Sequence, residues 1–199
     1  MKMGKIEKWF VNSPGHSKQV GRRAERLLGL VNAKPGQSYL DVGTGNGAAP
    51  IYIARKHDLN VIGIDVDPEQ IRIAQENSKD IDNARFLMHD ATQLPFQGNE
   101  FDIVSTNKVT HHIPNWEDAL AEMIRVLKPN GYLIYSDLVY PKWIASIGKR
   151  VTKNRAGFPT IGALNSFAKK NKLSIVHLSK SPVHYEAVFR KPTDLHNQE

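Results

Sequence analysis

Short apolar runs alternate along the chain with segments that have helical periodicity. Val61 to Asp65 is apolar on both faces, as expected of a strand inside a parallel sheet. Apolar residues recur at helical spacing within 17–31 and 116–127, and Pro68 is placed to begin a further helix. The runs that predict strands before residue 140 are 38–42, 61–65, 85–89, 101–105 and 132–137. Strands that alternate with helices predict an α/β fold with a parallel sheet covered on both faces.

The C-terminal part of the chain departs from this alternation. After a predicted helix near 160–170, two strand-like runs at 173–178 and 185–190 are separated only by 179–184. A connection this short cannot hold the crossover that joins parallel strands, so the two runs should form an antiparallel hairpin. The pattern therefore predicts a mostly parallel, seven-stranded sheet that ends in an antiparallel hairpin, with one antiparallel strand at its edge.

A glycine-rich turn follows the first predicted strand. Residues 41–47 read Asp-Val-Gly-Thr-Gly-Asn-Gly, and 48–55 can be helical. Three glycines at alternate positions leave no side chains in the way and permit backbone angles that other residues resist. A strand, a glycine-rich turn and a helix in this order allow the backbone to approach a nucleotide closely.

Two nucleotides fit this turn. Gly43, Gly45 and Ala48 satisfy the relaxed dinucleotide fingerprint, and Asp65 follows at about the expected ~20 residues. The carboxylate of Asp41 favours the other candidate, since it would repel a pyrophosphate and attract the ammonium and sulfonium of S-adenosylmethionine. An antiparallel strand at the sheet edge is also unusual for an NAD-binding half-domain. The residues favour S-adenosylmethionine and leave NAD as the alternative.

Composition limits the class of protein. The chain has 199 residues, 40% hydrophobic and 24% charged, which fits one globular domain. It has no cysteine, which excludes thiolate catalysis and Cys-ligated zinc. Residues 1–10 lack the apolar core of a signal peptide, and no apolar run approaches the ~20 residues of a membrane span, so we expect a cytoplasmic protein without a transmembrane segment. The net charge of +7 is spread along the chain and favours a solvated surface over a nucleic-acid footprint.

Five motifs in order resemble those of class I S-adenosylmethionine-dependent methyltransferases, within the group related to ubiquinone and menaquinone biosynthesis enzymes. The motifs are 41–47, 63–67 (Gly-Ile-Asp-Val-Asp), 89–96 (His-Asp-Ala-Thr-Gln-Leu-Pro-Phe), 101–105 (Phe-Asp-Ile-Val-Ser) and 126–131 (Val-Leu-Lys-Pro-Asn-Gly). The resemblance covers about 37–137 by motif and the C-terminal hairpin by topology. It implies a Rossmann-like three-layer sandwich, S-adenosylmethionine as methyl donor and S-adenosylhomocysteine as product.

The resemblance also implies roles for individual residues. Asp65 would accept hydrogen bonds from both ribose hydroxyls, Asp90 would accept one from the adenine amino group, and Asn107 would line the methyl-bearing end of the site. The implied cofactor-binding residues are Asp41, Gly43, Thr44, Gly45, Asn46, Gly47, Asp65, Val66, Asp90, Ala91 and Asn107.

Methyl transfer from a sulfonium is an in-line displacement, which needs no nucleophilic side chain; a general base helps only if the acceptor starts protonated. His111 and His112 follow the fourth strand and are the candidate bases. Neighbouring histidines rarely converge on one ion, so we expect no metal. The turn at 105–108 (Ser-Thr-Asn-Lys) lacks the Asp/Asn-Pro-Pro-aromatic sequence of enzymes that methylate amino groups on adenine, cytosine or glutamine. Because the sequence shows no appended RNA-binding domain, we expect a small-molecule or lipid-like acceptor.

Four further residues have a structural and a functional interpretation. Asp67 before Pro68 is predicted to cap a helix. Asp137, at the end of the fifth strand, could line the site or cap a turn. Trp9 and Phe10 could close over the cofactor, although packing as ordinary aromatic residues is favoured.

The predicted organisation is one domain over 1–199. It comprises an N-terminal helical cover (about 1–34), a cofactor-binding core (about 35–138), and a substrate-side segment with the hairpin (about 139–192). An RNA or protein methyltransferase stays an alternative because of the net charge. An NAD-binding oxidoreductase or an inactive cofactor-binding module is the second alternative.

Overall fold

The computed structural model describes residues 14–153 and 155–193. Trp9 and Phe10, for which ordinary packing is favoured over a lid, lie outside these ranges. The helices are α1 (Pro14–Leu28), α2 (Ala48–Lys56), α3 (Pro68–Asn77), α4 (Trp116–Val126), α5 (Lys142–Val151) and α6 (Ile161–Lys170), with a 3-10 turn at Thr110–His112. The strands are β1 (Ser38–Val42), β2 (Asn60–Asp65), β3 (Ala84–Met88), β4 (Phe101–Asn107), β5 (Leu127–Leu138), β6 (Ser174–Ser181) and β7 (His184–Arg190).

The seven strands form one sheet in the order β3-β2-β1-β4-β5-β7-β6. Strands β1 to β5 are parallel to one another, and β7 is antiparallel to both β5 and β6. The predicted α/β class, strand number and C-terminal hairpin are confirmed. One detail differs, because the antiparallel strand β7 lies one position inside the sheet and β6 forms the edge. The chain moves outward from β1 in both directions, so the strand order reverses between β1 and β4.

Helices cover both faces of the sheet, which gives three layers. Side chains alternate between the faces along each strand. Ile103 and Ile134 pack in the cluster that contains residues of α1 and α2, whereas Val104 and Leu133 pack in the cluster that contains residues of α4 and α6. A central strand with apolar residues on both sides is therefore buried on both, as its sequence predicts.

Strand β5 is longer than the sequence predicts. The sequence predicts a helix over 116–127 and a strand over 132–137, which leaves 128–131 as a connection, but the strand begins at Leu127. Leu127 pairs with Phe101, and the register shifts before Ile103 pairs with Tyr132. Asn130 has a positive φ of 63°. The extra residues therefore form an irregularity inside the strand, and pairing with β4 outweighs the local turn chemistry.

The start of α3 agrees with the sequence. The Asp67 side chain accepts a hydrogen bond from the backbone nitrogen of Glu69 at 3.0 Å, and Pro68 occupies the first helical position. This is an ordinary N-cap, which satisfies one of the helix's unpaired backbone donors. Among the described residues, no helix is both long and apolar enough to cross a bilayer. The division of the chain into a cover, a core and a substrate-side segment stays a prediction.

Candidate active site

A cavity of about 470 Å³ opens at the carboxyl ends of β1, β2, β3 and β4. Open α/β sheets bind ligands in this place, where the strand order reverses. The sequence analysis gives eleven cofactor-binding residues and two candidate bases, and eleven of these thirteen line the cavity. They are Gly43, Thr44, Gly45, Asn46, Asp65, Val66, Asp90, Ala91, Asn107, His111 and His112. Asp41 and Gly47 are the two that do not line it.

The three glycines of the turn have positive φ angles of 77° (Gly43), 54° (Gly45) and 81° (Gly47), which suit residues without a Cβ. Their surroundings differ. A Cβ on Gly43 would collide with the side chain of Val109, and one on Gly47 would come within 2.9 Å of Ile51. A Cβ on Gly45 would have its nearest neighbour 3.8 Å away. Gly43 and Gly47 are therefore required by packing, whereas Gly45 presents bare backbone to the cavity.

Asp65 ends β2 and holds the glycine turn from across the sheet. Its two carboxylate oxygens accept hydrogen bonds from the backbone nitrogens of Gly45 (2.8 Å) and Asp67 (2.9 Å). Burial raises the pKa of Asp65 from its ordinary value, against these two backbone donors. A carboxylate has about four lone-pair sites. These donors leave acceptor capacity on Asp65 for a ligand, which suits a hydroxyl group of a ribose.

Asp41 lies beneath the turn and is only 6% exposed. It accepts a hydrogen bond from the hydroxyl of Ser105, which itself accepts one from the hydroxyl of Tyr39 at 2.8 Å. Burial raises the pKa of Asp41 to about 6, although the Ser105 hydrogen bond opposes the shift. A carboxyl with this pKa is mostly ionised at pH 7. Its negative charge therefore acts on the cavity from behind the glycine turn, without direct contact.

Two lining residues, one at the end of β4 and one past β3, offer hydrogen-bond acceptors. At the end of β4, the side-chain oxygen of Asn107 is buried and has no hydrogen-bond partner among the described residues. A buried unpaired acceptor on a cavity wall suits a ligand with a donor group. Past β3, one oxygen of Asp90 accepts from the backbone and hydroxyl of Thr92, both at 2.8 Å. Val66 is half-exposed and apolar, as a surface against a flat ring would be.

His111 is oriented by a buried carboxylate. Asp137 is fully buried at the end of β5, and its oxygen Oδ1 lies 2.5 Å from Nδ1 of His111. The other oxygen accepts from the backbone nitrogen and hydroxyl of Thr110, both at 2.6 Å, and from the backbone nitrogen of Val109 at 3.1 Å. Asp137 does not line the cavity. It caps the turn and orients His111, so the second of its two sequence interpretations describes it, with an orienting contact that the sequence does not reveal.

His111 lines the cavity and its Nδ1 is held by Asp137, so Nε2 is the ring nitrogen that remains for a ligand. A histidine whose Nδ1 is held by a carboxylate is fixed in one tautomer and one orientation. The ring of His112 lies 3.9 Å from that of His111, centroid to centroid. Within the described ranges, no group of three or more His, Asp or Glu side chains is arranged to hold a metal ion. The arrangement can take up a proton at one defined nitrogen.

Residues 40–135 match the family model described as a methyltransferase domain. In this part the chain is similar to known methyltransferase domains, as its motifs predict. The curated relatives include demethylmenaquinone and phytyl hydroquinone methyltransferases, and this similarity confirms the resemblance in the motifs.

Three curated relatives illustrate the similarity. The 27-O-demethylrifamycin SV methyltransferase of Amycolatopsis mediterranei is 28% identical over 165 residues, which are 80% of this chain and 61% of that protein. The demethylmenaquinone methyltransferase of Renibacterium salmoninarum is 37% identical over 60% of this chain and 49% of its own length. The 2-methyl-6-phytyl-1,4-hydroquinone methyltransferase of Synechocystis sp. is 35% identical over 55% of this chain and 34% of its own length. The matches thus span between about a third and three fifths of these relatives.

Solved structures share the fold. Phosphoethanolamine N-methyltransferase 2 of Haemonchus contortus, in complex with S-adenosyl-L-methionine, superposes with a TM-score of 0.74 at 16% identity, over 94% of this chain and 60% of that one. The [4+2]-cyclase SpnF also superposes with a TM-score of 0.74, at 18% identity over 87% and 81% of the two chains. A cyclase among the neighbours means that the fold alone does not specify the reaction.

Proposed function

We propose that the chain is an S-adenosylmethionine-dependent methyltransferase that acts on a hydroxylated small molecule with lipid-like character. The observation that carries this proposal is the hydrogen bond between Asp65 and the backbone of Gly45 at the mouth of the cavity. It brings together a bare glycine backbone and a carboxylate with spare acceptor positions. The matched methyltransferase domain supports the donor.

The lining residues fit this donor. The ribose hydroxyls would donate to Asp65, and the adenine ring would lie against Val66 with its amino group toward Asp90. The carbonyl of Asn107 would accept from the ligand's ammonium, which gives its buried, unpaired oxygen a partner. The ionised Asp41 would lower the energy of that positive charge through the glycine turn. When bound, S-adenosylmethionine supplies a methyl group on a positively charged sulfur, and its product is S-adenosylhomocysteine.

His111 is proposed as the general base. Methyl transfer forms a bond from an acceptor lone pair to the methyl carbon, while the electrons of the broken carbon–sulfur bond return to sulfur. A hydroxyl acceptor must also lose its proton. His111 Nε2 would take up that proton, and Asp137 would stabilise the resulting imidazolium through Nδ1 at 2.5 Å. The rigid turn at Thr110–His112 would hold the acceptor oxygen in line with the methyl group.

The acceptor class rests on the relatives. Their names specify a demethylmenaquinone, a phytyl hydroquinone and phthiotriol dimycocerosates, which are lipid-like molecules with quinone or hydroxyl groups. The cavity of this chain is mixed in character, with apolar residues such as Ile113 and Leu138 among its lining. We infer that the acceptor has an apolar body and an ionisable hydroxyl.

The proposal is tested in two stages. Thermal unfolding with S-adenosylmethionine or S-adenosylhomocysteine at ~100 times the dissociation constant should raise the free energy of unfolding by ~2.7 kcal/mol. The protein is then incubated with S-adenosylmethionine and a panel of prenylated hydroquinones, and release of S-adenosylhomocysteine is measured. Stoichiometric release with one of them supports the proposal. Binding without release from any hydroxylated lipid overturns the acceptor, and absence of binding overturns the donor.

A further inference from the structure

Helix α5 exposes an apolar stripe. Trp143, Ile147 and Val151 are 66%, 55% and 75% exposed, and their spacing of four residues places them along one side of the helix. The helix is attached to the protein through another side, where Ala145 is buried. Three large apolar side chains in a row are unusual on a surface that meets only water.

The same part of the chain contains all of the protein's excess positive charge. Residues 138–185 include nine Lys and Arg residues and no Asp or Glu, whereas the rest of the chain has 18 basic and 20 acidic residues. Five of the nine lie on α5 or just after it, and all five are exposed: Lys142, Lys149, Arg150, Lys153 and Arg155. Arg150 is seven residues after Trp143 and therefore lies beside the stripe. Apolar and cationic side chains thus share one exposed surface.

This surface adjoins the acceptor side of the cavity. The segment after α5 folds back onto the turn at Thr110–His112, where the backbone nitrogen of Gly157 donates to the carbonyl of His111 at 3.0 Å. Phe158 packs against Gly148 of α5 and against the ring of Tyr140, 5.1 Å away between centroids. Leu138, which lines the cavity, precedes this helix. A molecule bound to the stripe would therefore be close to the cavity.

We propose that this surface of α5 docks the protein on the surface of an anionic lipid bilayer. The stripe of Trp143, Ile147 and Val151 enters the boundary between headgroups and acyl chains, and the flanking Lys and Arg side chains meet the anionic headgroups. Long basic side chains reach headgroups while their stems lie on apolar surface. The inference concerns binding to lipid and does not depend on the proposed reaction.

The charge distribution selects this occupant over two others. In a symmetric dimer formed through α5, two copies of the same basic surface would face each other and repel. A nucleic acid would attract the basic residues but would leave the apolar stripe in water. An anionic bilayer offers negative charge and apolar volume together, at the depths where the two kinds of side chain lie.

The test is co-sedimentation of the full chain with vesicles. Vesicles of phosphatidylcholine with 30% phosphatidylglycerol should bind the protein, vesicles of phosphatidylcholine alone should bind it much more weakly, and added salt should reduce binding. The double variant Trp143→Ser with Ile147→Ser should lower the partition coefficient roughly tenfold or more. The matched control Ile175→Ser with Val176→Ser changes two half-exposed apolar residues on β6 and should bind as the wild type does.

Two further double variants, each of which removes two positive charges, test the contribution of the basic side chains. Lys149→Gln with Arg150→Gln should weaken binding to anionic vesicles, whereas Arg72→Gln on α3 with Lys79→Gln just after it should not. All variants change exposed side chains and should keep the wild-type unfolding temperature and affinity for S-adenosylhomocysteine. Because this affinity is measured without vesicles, failure of the proposed function is distinguished from failure of the docking proposal. No vesicle binding by the wild type overturns the docking proposal. Equal loss in the stripe and control variants also overturns it. So does a dimer seen by light scattering, or retention on RNA that the Lys149→Gln with Arg150→Gln variant loses and the stripe variant keeps.

Discussion

Asp65 accepts a hydrogen bond from the backbone nitrogen of Gly45 at 2.8 Å, which ties the end of β2 to the turn after β1. The two residues are 20 positions apart, and parallel pairing of β1 with β2 brings them together. One carboxylate therefore shapes the glycine turn and faces the cavity. The proposed donor site depends on this contact.

Replacing Asp65 tests that dependence. Asp65→Ala should reduce the affinity for S-adenosylhomocysteine by about 10- to 100-fold, because hydrogen bonds to a charged group contribute roughly 1.5 to 3 kcal/mol. Calorimetric titration measures the loss, and circular dichroism should show the fold intact. Asp58→Asn, an exposed carboxyl before β2, is the control and should bind normally. Unchanged affinity of Asp65→Ala would show that the ribose lies elsewhere.

Comparison of Gly36 with Gly45 distinguishes the effect of backbone strain on stability from the effect of a side chain on ligand binding. Gly36 and Gly45 have φ angles of 77° and 54°, and neither has a neighbouring atom closer than 3.8 Å to an added Cβ. Gly36→Ala and Gly45→Ala should each lower the free energy of unfolding by about 1 to 2 kcal/mol, since both would hold alanine in a left-handed conformation. Only Gly45→Ala should also weaken binding of S-adenosylhomocysteine. Equal affinities in the two variants would place the ligand away from the turn.

The sequence predicts the sheet and the cavity lining well because both depend on local pattern. Apolar runs indicate strands, and residues at the ends of parallel strands meet at one edge whatever their side-chain contacts. The burial of Asp41 under the turn was not predictable, because it depends on Ser105 and Tyr39 packing around it. The same holds for the contact between His111 and Asp137, 26 residues apart, since their strand and turn meet only in the folded chain.

Glu186 is a residue that the sequence gives no reason to notice. It lies on β7, is 4% exposed, and accepts from Arg23 at 3.0 Å and Arg26 at 2.6 Å, both on α1. Burial alone would raise its pKa, but the two guanidinium groups outweigh burial and lower the pKa of Glu186 to about 2. These partners are about 160 residues distant, so no local pattern predicts them.

The lowered pKa of Glu186 gives stability a defined pH dependence. A carboxyl whose pKa is lower in the folded state stabilises the fold above its unfolded pKa near 4.5, and this stabilisation is lost as pH falls toward 2. Glu186→Gln should lower the free energy of unfolding by about 2 kcal/mol at pH 7 and make the acid loss below pH 4.5 shallower. Glu76→Gln, in an exposed pair with Lys79, should change it by less than about 0.5 kcal/mol. Urea unfolding from pH 3 to 7 measures both, and parallel curves for Glu186→Gln and wild type would contradict the account.

The pH dependence of stability that Asp41 causes is opposite in sign to that of Glu186. The pKa of Asp41 is raised to about 6, so the folded state holds the proton more strongly and stability falls as pH rises from about 4 to about 6. Asp41→Asn removes the buried charge and keeps an acceptor for Ser105. It should be more stable than wild type at pH 8 by roughly 2 to 3 kcal/mol, with the difference vanishing near pH 4.

The same variant should bind S-adenosylmethionine less tightly, because the negative charge behind the turn is gone. Asp102→Asn is the control on β4. Burial would raise the pKa of Asp102, but Lys128 and Ser38 outweigh burial and lower it. Loss of this carboxylate should therefore destabilise the protein at neutral pH. An Asp41→Asn variant that is less stable than wild type at pH 8 would contradict the inference that the buried charge of Asp41 destabilises the fold.

The proposed base is tested once an acceptor is in hand. His111→Asn should lower kcat by roughly 10²- to 10⁴-fold, leave the affinity for S-adenosylhomocysteine unchanged, and flatten the rise of rate with pH. His112→Asn is the neighbouring control and should keep the pH profile. Asp137→Asn should shift that profile and also lower stability, since Asp137 caps the turn through Val109 and Thr110. Full activity of His111→Asn would remove the base from the mechanism.

The central claim is that this cavity binds a cationic amino-acid nucleoside and not a dinucleotide with an anionic pyrophosphate. Isothermal titration of the purified chain with S-adenosylmethionine, S-adenosylhomocysteine and NAD⁺ tests it most directly. We expect one site with measurable heat for both sulfur ligands and none for NAD⁺. Tight binding of NAD⁺, with no heat from either sulfur ligand, would contradict it.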